Sequence, residues 1–186
     1  LVPQENLLGR VGFGFSHVIG VGLDAGRYSL AWGCVGLAQA CLDSCVRYTA
    51  TRKQFGVPIK DHQLVQRMVA RMITNVRAAR LLCHHAGCRR RSRDPGALMD
   101  TVIAKYFAST VLNEIASDAV QIHGANGCHA AYGVERFLRD AKIMEIIEGT
   151  SQIQEGLIAR LGYQAYATRA TAEPSTAADV SESVSV

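Results

Sequence analysis

The chain has 186 residues, 48% hydrophobic, 6% aromatic and 19% charged, with a formal net charge of +4. That length holds one domain with a sizeable core, and that apolar share excludes disorder for the bulk of it. No apolar run reaches the ~18 residues of a membrane span, and the N-terminus lacks a basic-then-apolar signal, so a cytoplasmic protein without a membrane span is the expectation.

Leu1 to Phe15 reads as an irregular lead-in, rich in Gly and carrying Pro3. From about Ser16 to Thr51 the spacing predicts one long helix, with positions 34, 38, 41, 42, 45 and 49 forming an apolar or small stripe. Gly33 and Gly36 lower helix propensity but permit a neighbouring backbone to approach closely. Phe55-Gly56-Val57-Pro58 breaks this helix. Asp61 is a plausible cap for a second helix to about Cys88, on which Val65, Met68, Val69, Met72, Val76, Ala79 and Cys83 keep the helical period with arginines opposite.

Asp94-Pro95-Gly96 is a turn and cap signal. A third helix is expected from about Ala97 to His123, with Ala104, Phe107, Ala108, Val111, Ile115, Ala119 and Ile122 on one face and Gly124 to Gly127 ending it. A short helix from about Gly133 to Leu138 and a last one from Ser151 to about Tyr163 follow, with no strand alternation anywhere. These elements predict an all-α, antiparallel four-helix-type bundle over residues 16–167, after the lead-in at 1–15. The Ala-, Ser-, Thr- and Glu-rich stretch 168–186 reads as a disordered tail.

Cys34, Cys41 and Cys45 fall at helical spacing, as small buried residues do. Cys83-His84-His85 with Cys88 lacks a second paired half, so no zinc site is assigned. Between His62 and Arg93 stand eight arginines and no Asp or Glu, with Arg89, Arg90, Arg91 and Arg93 clustered. The cluster suits a solvated helix end, or an anionic partner such as a CoA phosphate, an acidic carrier protein or, least of all, nucleic acid, for which no motif is present.

The most chemically pointed residue is Glu148. It follows Ile146-Ile147 and precedes Gly149-Thr150-Ser151, which can cap a new helix. Apolar neighbours would raise a carboxyl pKa, which suits a base that takes and returns a proton. An acid near a helix N-terminus is also a common structural choice, favoured by the dipole, and spacing alone favours that blander reading.

Five segments share one resemblance. Arg139-Asp140-Ala141-Lys142 followed by Glu148-Gly149-Thr150-Ser151-Gln152-Ile153-Gln154 resembles the C-terminal signature of the acyl-CoA dehydrogenase family. Val2 to Gly9 is similar to that family's segment leaving its middle domain, and Leu23-Asp24-Ala25-Gly26-Arg27 to its substrate-side helix start. Thr51-Arg52-Lys53-Gln54-Phe55-Gly56 resembles its flavin-contacting turn, and Gln121-Ile122-His123-Gly124-Ala125-Asn126-Gly127 its second flavin loop. The match runs from about Val2 to Leu161.

The resemblance implies FAD-dependent removal of two hydrogens across the α and β carbons of an acyl thioester, on CoA or a carrier protein. Glu148 would take the α proton while hydride leaves to the flavin, and its own backbone N–H would help polarise the thioester carbonyl. Arg52 and Phe55 would meet the FAD of a neighbouring subunit, at pyrophosphate and adenine, with His62, Gln63, Gln121 and Gly124 contacting the same dinucleotide. Thr150 and Gln152 would meet FAD from the catalytic side. Asp24, Arg27 and Gly149 would stand on the substrate side, although spacing alone also allows Asp24 and Arg27 to be an intrahelical ion pair. A homodimer or homotetramer is implied, as are N-terminal and middle domains that these motifs do not cover.

The sequence departs from the family pattern at Ile147, where Tyr is usual, at Ala125 and at Cys128. Gly26 stands where some branches carry an alternative acidic base, so Glu148 has no rival there. An acyl-CoA oxidase and a non-catalytic helical oligomerisation module are the other readings the residues permit.

Overall fold

The structure, a computed structural model, describes residues 2–172, with side chains described as far as residue 167. Among the described residues it is all-α: α1 (Gly20–Thr51), α2 (Gln63–Arg91), α3 (Ala97–His123), α4 (Val134–Met144) and α5 (Ser151–Ala172) pack together. A wider π-helical turn, Gly14–Ile19, leads into α1.

Helix α3 lies at the centre and touches the other four. Its inner face alternates Ala with larger groups: Ala104, Ala108, Leu112, Ile115 and Ala119 are buried. The expected stripe on α1 faces it, since Cys34, Ala38, Cys41, Leu42, Cys45 and Thr49 are all buried. Met72, Val76, Ala79 and Cys83 of α2 complete the core, whereas Val65, Met68 and Val69 are only partly buried. Short Ala and Cys side chains let helix axes approach closely, which fits a core so poor in aromatics. Burial pushes the Cys34, Cys41 and Cys45 thiols up to about 12 and Cys83 to about 11, so these cysteines act as small apolar groups.

Helix α1 with its lead-in turn, Gly14–Thr51, is long and apolar enough by length and composition to cross a bilayer, contrary to the reading of the sequence. Its apolar stripe instead packs against α3. Gly33 and Gly36 do not receive a neighbouring backbone: a Cβ on either would meet open space.

Helix α2 starts one residue later than expected. Ile59–Asp61 forms a 3-10 turn, His62 takes the cap position, and Asp61 makes no cap hydrogen bond. Helix α4 runs to Met144 rather than Leu138, and α5 runs past Tyr163 to Ala172, so the start of the expected disordered tail is helical. The rest of that stretch, 173–186, lies outside the described residues.

One element was not expected at all. Lys53–Gln54 (β1) pairs antiparallel with Val57–Pro58 (β2), with Gln54 opposite Val57. The two loop residues, Phe55 and Gly56, have φ of 52° and 84°, the double positive φ of a type I′ hairpin turn. Two-residue strands are too short for alternation to register in a sequence.

Candidate active site

The residues singled out in the sequence gather at two places. The first is an open cavity of about 840 Å³ where the hairpin, the start of α2 and the end of α3 meet. Arg52, Phe55, His62, Gln63 and Gly124 all line it; Gln121, exposed on the last turn of α3, does not. Phe55 is 93% exposed on a left-handed backbone, an unfavourable posture for an aromatic residue held only by the hairpin. Its ring meets His62 edge-on at 6.0 Å, and His62 Nε2 lies 3.3 Å from the Gln54 carbonyl. No ion pair among the described residues engages Arg52, whose guanidinium is therefore available to a phosphate.

The same cavity is also lined by a polar and aromatic group, Tyr48, His123 and Asn126, that the sequence reading did not assign. Tyr48 stacks on His123 with ring centroids 4.2 Å apart, donates to the His123 carbonyl and accepts from Asn126. His123 Nδ1 faces the Ala119 carbonyl at 2.7 Å, so Nδ1 carries the proton and Nε2 is left as an acceptor. Burial draws His123 below the usual histidine range, with the Ala119 bond opposing it. Gly124 then turns with φ 60°, ψ −139°, a backbone that essentially only glycine adopts. Ala125 and Cys128, the two departures in this loop, are exposed and leave its 3-10 turn, Gly124–Cys128, intact.

The second place is the turn between α4 and α5. Glu148 (φ 57°) and Gly149 (φ 95°) are consecutive left-handed residues. The Glu148 carbonyl accepts from Arg27 Nε and from Gln154 Nε2, each at 3.1 Å. The Gly149 carbonyl accepts from Lys105 Nζ at 2.7 Å and from Gln154 Nε2 at 3.0 Å. Thr150 Oγ1 faces the Ile153 N–H at 3.4 Å and caps α5. The Glu148 carboxylate lies directly over Gly26 of α1, where a Cβ would stand 2.5 Å from Cδ and 2.8 Å from Oε1. A glycine at 26 is therefore what lets the carboxylate rest against the helix.

Arg27 and Gln152 also line a neighbouring cavity of about 650 Å³ between the start of α1 and α5. Three expectations are corrected here. Ile146 and Ile147 are 49% and 39% exposed and do not enclose Glu148 in apolar surface. Asp24 and Arg27 do not pair with each other: Asp24 pairs with Arg90 of α2 at 2.5 Å, because Arg27 is turned toward the Glu148 carbonyl. The arginine cluster is accordingly not one free cationic surface, since Arg90 is taken by Asp24, and Arg89 by Asp94 and Asp100.

Lys105 and Gln154 are the residues the sequence reading missed. Both are fully buried. Burial pulls the Lys105 ammonium below the usual lysine range; Cys34, Glu145 and Glu148 pull it back and Arg27 adds to the push. The available signal was a lysine set between Ala104 and Phe107 on the inner face of α3.

Residues 12–162 match the family described as acyl-CoA dehydrogenase, C-terminal domain. The chain belongs to the acyl-CoA dehydrogenase family. It is 43% identical over 157 residues, 84% of its length, to subunit CarC of the caffeyl-CoA reductase-Etf complex of Acetobacterium woodii, covering 41% of that protein. It is 44% identical over 161 residues, 85% of its length, to glutaryl-CoA dehydrogenase of Desulfococcus multivorans, covering 40% of it. Butyryl-CoA dehydrogenase of Megasphaera elsdenii superposes with a TM-score of 0.81 at 38% identity, over 86% of this chain and 41% of that one. The chain thus spans about two-fifths of the length of these relatives. The helical bundle is the C-terminal domain of that family, whose members are FAD-dependent oxidoreductases.

Proposed function

We propose that this chain forms the C-terminal part of an enzyme that removes two hydrogens across the α and β carbons of an acyl thioester, with Glu148 as the base. The observation that carries the reading is the Glu148 carboxylate, seated over Gly26 on a turn whose two carbonyls are gripped by Arg27, Lys105 and Gln154. A general base needs a carboxylate held in one place with a proton acceptor's lone pairs exposed to substrate. Arg27, which grips the turn, also faces the neighbouring cavity, so substrate side and base side meet at one residue.

FAD, when bound, supplies the hydride acceptor. The residues present suit it: Arg52 offers a fork unpaired among the described residues for a pyrophosphate, Phe55 an exposed ring for adenine, and Gly124 a bare backbone. His62, Gln63 and Gln121 complete that set, and Thr150 with Gln152 is the set on the catalytic side. Asp24, Arg27 and Gly149 serve the thioester. Within this chain the chemistry is then simple: Glu148 receives the α proton on its carboxylate and later gives it up, while the clamp keeps its Cα in place. The assembly is a homodimer or homotetramer in which one copy's Arg52 and Phe55 reach another copy's cofactor.

Glu148→Gln keeps the side-chain shape but cannot accept the proton. In the FAD-loaded enzyme containing this chain it should bind flavin and butyryl-CoA normally and reduce the flavin ~10²–10⁴-fold more slowly in a single turnover. Flavin bleaching near the wild-type rate removes Glu148 from this role. Loss of FAD instead would mean that Glu148 is structural.

A further inference from the structure

The turn carrying Glu148 is held by more, and costlier, groups than a turn requires. Of its two left-handed residues, Glu148 would relax toward other conformations if nothing held it, since a non-glycine residue at positive φ is unfavourable. Four hydrogen bonds from three side chains on three different helices hold the turn: Arg27 from α1, Lys105 from α3 and Gln154 from α5.

Lys105 is the telling member. It is fully buried, and no carboxylate pairs with it among the described ion pairs; its short bond goes to the Gly149 carbonyl. A buried ammonium is expensive to desolvate, and an apolar side chain of similar volume commonly does as well or better for stability. Folding alone therefore does not account for a lysine at this point of α3. Gln154 shows the same preference. Its Nε2 is aimed at both carbonyls, which fixes the amide orientation, and its buried Oε1 has no partner among the described residues. Gly149 is what admits it, because a Cβ there would stand 2.7 Å from Nε2.

We infer that Lys105 and Gln154 are positioning residues for the Glu148 carboxylate: they lock the Glu148–Gly149 backbone in its left-handed form, so that the carboxylate stays over Gly26. The inference rests on the reading of Glu148 as the base. Neither residue touches substrate; each acts through the turn, by pre-organisation.

The test uses Lys105→Met and Gln154→Leu in the FAD-loaded enzyme, alone and combined with Glu148→Gln, with butyryl-CoA and palmitoyl-CoA as probes. Each single variant should reduce flavin about 10- to 100-fold more slowly, as a displacement of about 1 Å does, with acyl-CoA dissociation constant and flavin spectrum unchanged. On the Glu148→Gln background the same substitutions should add less than about 2-fold, because residues acting as a unit are non-additive. Amide exchange at Ser151, whose N–H closes the turn on the Glu145 carbonyl at 3.0 Å, should quicken in Lys105→Met whether or not substrate is present. Wild-type reduction rates, full additivity, or unchanged amide exchange overturns the inference. If Glu148→Gln is slow and Lys105→Met is not, the clamp alone is wrong; if Glu148→Gln is fast, the assignment of the base falls and the clamp's role falls with it. Should Lys105→Met fail to fold, Gln154→Leu carries the same measurements.

Discussion

Gly26→Ala separates folding from chemistry in this domain. Position 26 is inside α1, where Ala is favoured over Gly by about 1 kcal/mol. The added Cβ would stand 2.5 Å from Cδ and 2.8 Å from Oε1 of Glu148, whereas carbon contacts settle near ~3.5 Å, so the carboxylate must retreat by about 1 Å. The group that moves is the far end of a flexible side chain, and an off-rotamer Glu costs roughly 0.5–1.5 kcal/mol. These terms nearly cancel, so stability should change by no more than about 1 kcal/mol, or ~2–4 °C for a domain of this size. Catalysis has no such offset. A base displaced by about 1 Å loses ~10²-fold, about 2.7 kcal/mol of barrier. The assay pairs a thermal melt with single-turnover flavin reduction in the FAD-loaded enzyme. A wild-type rate in Gly26→Ala, or a melting point lowered by much more than a few degrees, would refute the placement of the carboxylate over this glycine.

Arg52→Ala should weaken FAD retention without lowering the melting point of the domain, since its guanidinium makes no ion pair among the described residues; equal FAD affinity by titration removes Arg52 from the site. His123 gives an acid-side prediction. Its folded pKa lies below the ordinary 6.5, so between the two values the unfolded chain binds more protons, and stability is whole above about pH 6.5 and is lost as pH falls through the folded pKa. His123→Phe, which keeps a ring against Tyr48 but cannot charge, should flatten the fall in urea midpoint below pH 6.5; an unchanged slope counts against a neutral buried imidazole.

Much of this was legible in the residues because helices announce themselves by period. The bounds expected for α3, about Ala97 to His123, are those observed, and every residue of the α1 stripe is buried. What failed to show was whatever depends on a partner distant in sequence. Asp24 and Arg27 have the spacing of an intrahelical pair, but nothing local reveals that Arg90 reaches Asp24 from α2 while a backbone carbonyl claims Arg27. Lys105 reads as a lapse in an apolar face until Gly149 is brought against it, 44 positions later. The hairpin at Phe55 was invisible for the opposite reason: its strands are too short to carry a period.

The length of α1 bears on how many copies one site needs. Gly26 meets the Glu148 carboxylate near one end of the helix, and Arg52 follows its last residue, Thr51, at the other. Twenty-five helical steps of 1.5 Å put those points roughly 37 Å apart. On the proposed function, Thr150 and Gln152 serve a flavin beside the base, whereas Arg52 and Phe55 serve a pyrophosphate and an adenine. The single continuous helix α1, Gly20–Thr51, separates the two sets and packs against α3 through its buried Ala and Cys residues. The adenine-side residues of one copy therefore suit the cofactor of another, and the exposure of Phe55 on a strained hairpin is what a residue awaiting such a neighbour would show. On the proposed function the oligomer would be part of the cofactor site, and each copy would carry half of two sites rather than one whole one.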